Sequence, residues 1–130
     1  RSLCDWSSDV CSSDLTFGWR GIRRLLPYEE VAKELHHRYA PAPHWYLWAV
    51  GVTPARQGEG LVGRLLAPTL ARADLAGVDC YLETQHDRNV RIYERLGFEV
   101  AERREMTPHP HPVWGMVRRG RAAAPAGSAV

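Results

Sequence analysis

The chain has 130 residues, with 17 Lys and Arg against 15 Asp and Glu, and a formal net charge of +2 at pH 7. This length predicts one domain or most of one, and so mild a charge does not predict a nucleic-acid-binding surface. No apolar run approaches the roughly 20 residues of a membrane span. We therefore expect a soluble, cytoplasmic protein with neither nucleic acid nor membrane as a partner.

The first fifteen residues, RSLCDWSSDVCSSDL, contain two of the three cysteines, Cys4 and Cys11, with no histidine nearby. A disulfide would need an oxidising compartment, and nothing in the given stretch looks like a secretory signal with an apolar core. The cysteine spacing is also not one that zinc sites favour. Back-translated into codons, the stretch resembles a common adapter of short-read sequencing libraries. We therefore expect residues 1–15 to be non-native and the native sequence to begin, inside its gene, at Thr16.

Without residues 1–15 the charge becomes more positive. Removing Arg1 and the three aspartates leaves 16 basic and 12 acidic residues, a net charge of +4. This balance is consistent with a phosphate-bearing ligand. The remaining cysteine, Cys80, lies inside an apolar run, which predicts a buried thiol rather than a nucleophile.

The first predicted elements are a helix, a strand and a second helix. Residues 27–39, PYEEVAKELHHRY, begin with a proline and two glutamates and have apolar side chains on one face, as in a helix. Residues 44–52, HWYLWAVGV, are apolar on both faces and predict a buried strand. Residues 61–76 predict a helix that Gly77 ends.

The second half of the chain predicts a short helix and three strands. Asn89 or Asp87 is expected to cap the helix, and Gly97 to end it. The first two strands of the chain, with the glycine-rich turn and helix between them, form a βαβ unit, so they should be parallel. The further elements are a strand at 78–84, a helix at 90–96, an antiparallel pair at 98–105 and 113–119, and a disordered tail at 120–130.

Residues 58–63, GEGLVG, match G-x-G-x-x-G between a predicted strand and a predicted helix. Glu83 ends the next strand, where a Rossmann fold has its ribose-binding acid, so the motif alone favours a dinucleotide. Two features argue against this interpretation. A Rossmann glycine loop follows its strand at once, whereas residues 53–57, TPARQ, intervene here. The later elements also do not continue an alternating parallel pattern.

The longer pattern resembles the GNAT acetyltransferase superfamily. Two stretches, GVTPARQGEGLVGRLL and YLETQHDRNVRIYERLGF, carry the resemblance, which covers residues 44–119. The pyrophosphate motif of the superfamily is Q/R-x-x-G-x-G/A, and Gln57, Gly60 and Val62 occupy its three positions. Val62 departs from the expected Gly or Ala.

The resemblance also has a departure in the second stretch. His86 stands where the superfamily often has an asparagine, seven residues before the tyrosine, and Asn89 lies four residues before it. The resemblance implies an α/β (α+β) fold, with a mixed sheet and a central, bulged parallel strand pair that splays apart. Gly51 would permit the bulge. Residues 16–119 would be the C-terminal part of a GNAT domain, with the N-terminal strands missing from this fragment.

The resemblance implies acetyl-CoA as co-substrate, without a metal, and a primary amine of a small molecule or protein as acceptor. Glycines without Cβ atoms and the free N–H groups of a helix start are suited to a pyrophosphate. A homodimer is left open. The implied cofactor-binding residues are Val50, Val52, Gln57, Gly58, Glu59, Gly60, Leu61, Val62, Gly63 and Asn89.

Two side chains are candidates for catalysis. Tyr93 shares a helix face with Asn89 and would protonate the departing thiolate, unless it is a core tyrosine. Glu83, near the splay, would be the general base through a water, unless it is a solvated carboxylate. A backbone N–H group between Val50 and Val52 would stabilise the oxyanion. A CoA-binding module without catalytic activity is the further alternative.

Overall fold

The computed structural model describes residues 27–107 and 110–121. The segment predicted to be non-native, residues 1–15, lies outside the described residues, as do residues 122–130 of the predicted tail. Residues 27–39 form helix α1. The later elements are β1 (His44–Tyr46), a 3-10 turn (Pro54–Arg56), α2 (Leu61–Ala76), β2 (Asp79–Thr84), α3 (Asp87–Arg95), β3 (Glu99–Arg104) and β4 (Val113–Arg118). In the two described ranges, no helix is long and apolar enough to cross a bilayer.

The four strands form one mixed sheet in the order β1-β2-β4-β3. The first two strands are parallel, as predicted from the βαβ pattern, and the other two pairings are antiparallel. Helix α2 connects β1 to β2, and the left-handed residue Gly77 ends it (φ 63°) as the sequence predicts.

Strand β1 is much shorter than the sequence predicts, and it is not buried. The strand ends at Tyr46, and the N–H of Leu47 donates the last backbone hydrogen bond to β2 that the described residues show, at 2.9 Å to the carbonyl of Tyr81. The chain then leaves β2, so the two strands separate as the resemblance implies. Trp48 is 79% exposed. The prediction of a strand over 44–52 buried on both faces is therefore wrong, because β1 is an edge strand among the described residues.

Gly51 is not what allows this separation. It does not have a positive φ, and a Cβ atom built on it would meet no atom within 4 Å. Neither its φ nor its surroundings therefore require a glycine at this position. The expected dependence on glycine is wrong.

The two faces of the sheet have separate cores. Cys80, Leu82 and Met116 pack with side chains of α2 and α3 on one face, and Leu35 of α1 packs with Val113 on the other. Cys80 is buried, as predicted, and burial raises the pKa of its thiol. Successive residues of a strand point to opposite faces, so β2 presents its residues alternately to α1 and to α2 and α3.

An ion pair joins α2 to the end of β4. The guanidinium of Arg118 donates two hydrogen bonds to Asp74, at 2.7 and 2.6 Å, and a third to the carbonyl of Leu96 at 3.0 Å. The N–H groups of Gly120 and Arg121 also bond to aspartates of the domain. The pairing with Arg118 lowers the pKa of Asp74 to about 2.

We expect Asp74→Asn to lower the resistance of the protein to urea at pH 7. A carboxyl group whose pKa is lower in the folded than in the unfolded state stabilises the fold above its unfolded pKa. This contribution should disappear as the pH falls from about 4 to 2, and the two proteins should then unfold at the same urea concentration. Urea midpoints measured at several pH values check this; a difference that does not depend on pH would contradict it.

Candidate active site

A cavity of about 680 Å³ opens between the start of α2 and helix α3. Its walls come from the segment after β1, the glycine turn, the first turn of α2 and one side of α3. The lining residues include Val50, Val52, Gln57, Gly58, Gly60, Leu61, Val62, Gly63, Asn89 and Tyr93. The structure therefore brings together nine of the ten predicted cofactor-binding residues and one of the two predicted catalytic residues.

The tenth cofactor residue, Glu59, does not line the cavity. Its carboxylate accepts two hydrogen bonds from Arg56, at 2.8 and 3.1 Å. The amide of Gln57 is also engaged, since its Nε2 donates to the carbonyl of Val52 at 3.3 Å. This bond holds the glycine turn to the segment that leaves β1. Ligand contacts of Glu59 and Gln57 stay predictions.

The backbone conformation of the turn requires glycine at two positions. Gly58 and Gly60 have φ values of 90° and 71°, which side chains with a Cβ rarely adopt. Gly60 is also the N-cap residue of α2, so the free N–H groups of the first turn of the helix lie beside the cavity. Gly63 does not have a positive φ, and a Cβ there would lie 3.4 Å from the side chain of Leu96, an ordinary van der Waals distance.

Helix α3 begins at Asp87, three residues earlier than predicted, and His86 is its N-cap residue. The prediction that Asn89 or Asp87 caps the helix is therefore wrong. Asn89 lies within the helix, four residues from Tyr93, and its side-chain amide donates to the hydroxyl of Thr84 at 3.2 Å. This bond fixes the start of α3 to the end of β2.

Tyr93 belongs both to the core and to the cavity wall. Its side chain is 8% exposed, and its ring meets the ring of Phe98 edge to face at a centroid distance of 5.9 Å. Burial raises the pKa of its hydroxyl, so the group keeps its proton at neutral pH. A protonated, firmly packed hydroxyl beside a cavity can donate a hydrogen bond or a proton to a ligand.

Glu83 lies on the other face of the sheet. It does not line the cavity, and its Oε2 accepts a hydrogen bond of 2.7 Å from the hydroxyl of Tyr46. Burial raises the pKa of its carboxyl group, while the hydrogen bond from Tyr46 acts in the opposite direction. Its Oε1 is buried and has no hydrogen-bond partner among the described residues. Glu83 is therefore half-buried rather than fully solvated, and its role as a general base stays a prediction.

The cavity wall also carries positive charge that the sequence analysis did not single out. Four arginines line it, Arg56 and three on α3, and none of the lining residues is an Asp or Glu. The spacing of Arg88, Arg91 and Arg95 along one side of a helix is a signal that could have identified them. Such a lining favours an anionic ligand.

The described residues contain no cluster of three or more His, Cys, Asp or Glu side chains that could hold a metal ion. His109, which with His111 forms a His-x-His pattern in the sequence, lies outside them.

The sequence model of the family described as Acetyltransferase (GNAT) family matches residues 22–98, more than half of the chain. The chain belongs to this family. Membership in the GNAT family decides between the two interpretations of the glycine motif, and the Rossmann alternative is not supported. The mixed sheet agrees with this, because two of its three strand pairings are antiparallel.

Two curated relatives are similar to this GNAT chain. An uncharacterized N-acetyltransferase of Schizosaccharomyces pombe is 43% identical over 54 residues, which cover 42% of this chain and 22% of that protein. A mycothiol acetyltransferase of Corynebacterium aurimucosum is 36% identical over 86 residues, which cover 55% of this chain and 26% of that protein. The match thus spans about a quarter of the length of these relatives.

Two solved structures share the fold of this GNAT chain. The ribosomal-protein-S18-alanine N-acetyltransferase of Escherichia coli superposes with a TM-score of 0.53 at 25% identity, over 62% of this chain and 57% of that one. A putative acetyltransferase of Agrobacterium tumefaciens gives a TM-score of 0.52 at 25% identity, over 57% of this chain and 55% of that one. The α/β fold class predicted from the sequence is confirmed.

Proposed function

We propose that this GNAT chain carries the cofactor-binding half of an enzyme that transfers an acetyl group from acetyl-CoA directly to a primary amine. The observation that carries the proposal is the cavity, which combines the glycine turn, a free helix start and four arginines without an acidic side chain. CoA has a pyrophosphate and a further phosphate group, and therefore offers several negative charges to such a wall.

The glycine turn and the start of α2 would bind the pyrophosphate. The backbone N–H groups beside Gly58 and Gly60 are not blocked by Cβ atoms, and the helix dipole favours an anion there. Arg88 and Arg91 would bind a phosphate at the opposite wall. Among the described residues Arg88 makes no ion pair, and Arg91 makes a long one, at 3.9 Å to Asp87. The pantetheine would then lie along Asn89 and Tyr93.

The separation of β1 from β2 would let groups on the two faces of the sheet act on the same thioester. Glu83, on the face opposite the cavity, would take a proton from the amine through a water molecule. The amine would then attack the thioester carbon, and a backbone N–H group between Val50 and Val52 would stabilise the oxyanion. Tyr93 would protonate the departing thiolate. Each of these four roles is proposed on the basis of position in the structure.

The acceptor is proposed only as a class, a primary amine of a small molecule or of a protein. One relative is named as a mycothiol acetyltransferase and one structural neighbour as acting on an alanine of a ribosomal protein. These names differ, and neither is transferred to this chain. The cytoplasmic location and a homodimer stay predictions.

Calorimetric titration tests the cofactor. We expect binding of acetyl-CoA, weaker binding of dephospho-CoA and none of NADH. The double variant Arg88→Gln/Arg91→Gln should lower the affinity for acetyl-CoA about ten-fold, since two charge-assisted contacts are lost. The control Lys33→Gln/Arg103→Gln removes the same charge outside the cavity and should bind normally.

Activity is tested by the release of free CoA thiol from acetyl-CoA in the presence of amines. The panel consists of lysine, spermidine, glucosamine and a peptide that begins with alanine. Binding of NADH without binding of acetyl-CoA would contradict the proposal. Binding of acetyl-CoA without transfer to any amine would favour the module that binds CoA without catalysis.

A further inference from the structure

The hydrogen bond between Tyr46 and Glu83 is the feature of the site that the proposed mechanism does not explain. We propose that Tyr46 is a positioning residue, whose hydroxyl holds Glu83 as a carboxylate at the point where β1 and β2 separate. The inference rests on the proposed function, because it assumes that Glu83 is the general base.

The position of Tyr46 is the first step of the argument. It is the last residue of β1, and it pairs with Tyr81, two residues before Glu83 on the neighbouring strand. The N–H of the next residue, Leu47, makes the last backbone hydrogen bond to β2 among the described residues. The side chains of Tyr46 and Glu83 span the gap that follows at 2.7 Å. The bond occupies Oε2 of the carboxylate and leaves Oε1 without a partner. Oε1 is therefore the oxygen that the hydroxyl of Tyr46 does not engage.

The ring of Tyr46 is held by other aromatic rings. The imidazole of His36, on α1, lies 4.5 Å from the ring of Tyr46 and is stacked on the ring of Tyr81 at 4.9 Å, with an angle of 18° between the planes. His36 is itself fixed by a hydrogen bond of 2.6 Å between its Nε2 and that of His44. Tyr46 is 41% exposed, so these rings hold one side of it. This contact and the bond to Glu83 restrict its rotamers, so its hydroxyl is oriented before a substrate arrives.

The charge around Glu83 makes such a donor necessary. Burial favours the protonated acid, which cannot act as a base, and Glu29 of α1 acts in the same direction because it is also negative. Gly115, opposite Glu83 on β4, carries no side chain that could donate. Tyr81 has a buried hydroxyl on the same face that also lowers the pKa of Glu83, though less than Tyr46 does, and it makes no hydrogen bond among the described residues. Among the described residues, the hydroxyl of Tyr46 is thus the side-chain donor that bonds to the carboxylate and lowers its pKa most.

The proposal predicts the pH dependence of the variant Tyr46→Phe in the full chain. Loss of the donor destabilises the carboxylate and raises the pKa of Glu83, so the acid limb of kcat/KM should move to higher pH. We expect the acid limb to shift by about 1 pH unit. At pH values below the acid-limb pKa of both proteins, kcat/KM of Tyr46→Phe should then be about ten-fold lower than that of the parent, whereas on the plateau the two values should be equal. The rate is measured as CoA release with the best amine of the panel. The carboxyl carbon signal of Glu83, followed by NMR without any acceptor, should titrate with the same shift.

Three variants complete the experiment. Tyr39→Phe is the matched control, since it removes a tyrosine hydroxyl that donates to Glu102 at 2.6 Å, and it should leave the limb unchanged. Tyr81→Phe should shift the limb less than Tyr46→Phe; a larger shift from Tyr81→Phe, or an unchanged NMR titration in Tyr46→Phe, overturns the inference. Glu83→Gln tests the underlying mechanism separately. If Glu83→Gln keeps full activity, Glu83 is not the general base, and that part of the proposed function is wrong independently of the result with Tyr46→Phe.

Discussion

The variant Tyr93→Phe is expected to turn over at least about 100-fold more slowly than the parent protein, with nearly unchanged affinity for acetyl-CoA. The substitution removes a hydroxyl and keeps the ring, whose edge-to-face contact with Phe98 is part of the core. A thiolate has a pKa near about 8.5 and a tyrosine near about 10, so proton donation is uphill by about 2 kcal/mol. Burial, which raises the pKa of Tyr93, also favours a neutral thiol over a thiolate.

Single-turnover rates and a calorimetric titration check this prediction together. The titration shows whether the cavity is intact, and thermal unfolding shows whether the core is. If Tyr93→Phe reacts at the parent rate, Tyr93 has a structural role and solvent protonates the thiolate.

The second large effect is expected from the glycine turn, where Gly60→Leu should lower the affinity for acetyl-CoA at least about 100-fold. The side chain would take the space beside the N–H groups that we assign to the pyrophosphate, and several charge-assisted hydrogen bonds would be lost. No protein atom lies within 4 Å of a Cβ on Gly60, so the added side chain has room in the free protein. Calorimetric titration measures the loss.

Backbone strain has to be separated from this steric effect. Gly60 has a φ of 71°, where a residue with a Cβ costs roughly 1–2 kcal/mol. Gly77 has a similar φ of 63° and does not line the cavity, so Gly77→Ala is the matched control for Gly60→Ala. Both should lower stability to a similar extent. If Gly77→Ala weakens acetyl-CoA binding as much as Gly60→Ala does, the effect is strain and the turn is not the pyrophosphate site.

The sequence by itself determined the features that depend on neighbours along the chain. The bounds of α2, Leu61–Ala76, are those predicted, because a glycine at each end and an apolar stripe between them specify the helix locally. The spacing of Asn89 and Tyr93 predicted a shared helix face, and both residues line the cavity. The GNAT family and the fold class were implied by the resemblance of two short stretches to that superfamily. The anion site at the glycine turn could be predicted locally, because glycines and a helix start create it from the backbone alone.

Tertiary structure decided everything that depends on which strand or helix lies alongside. The apolar run at 44–52 has the composition of a buried strand, but β1 is an edge strand among the described residues and Trp48 is largely exposed. Nor could the sequence tell that Glu83 faces α1 and Tyr46 while the cavity lies on the other face. The face that a strand residue points to is set by the register of the sheet, and that register is fixed by pairing between segments far apart in the chain.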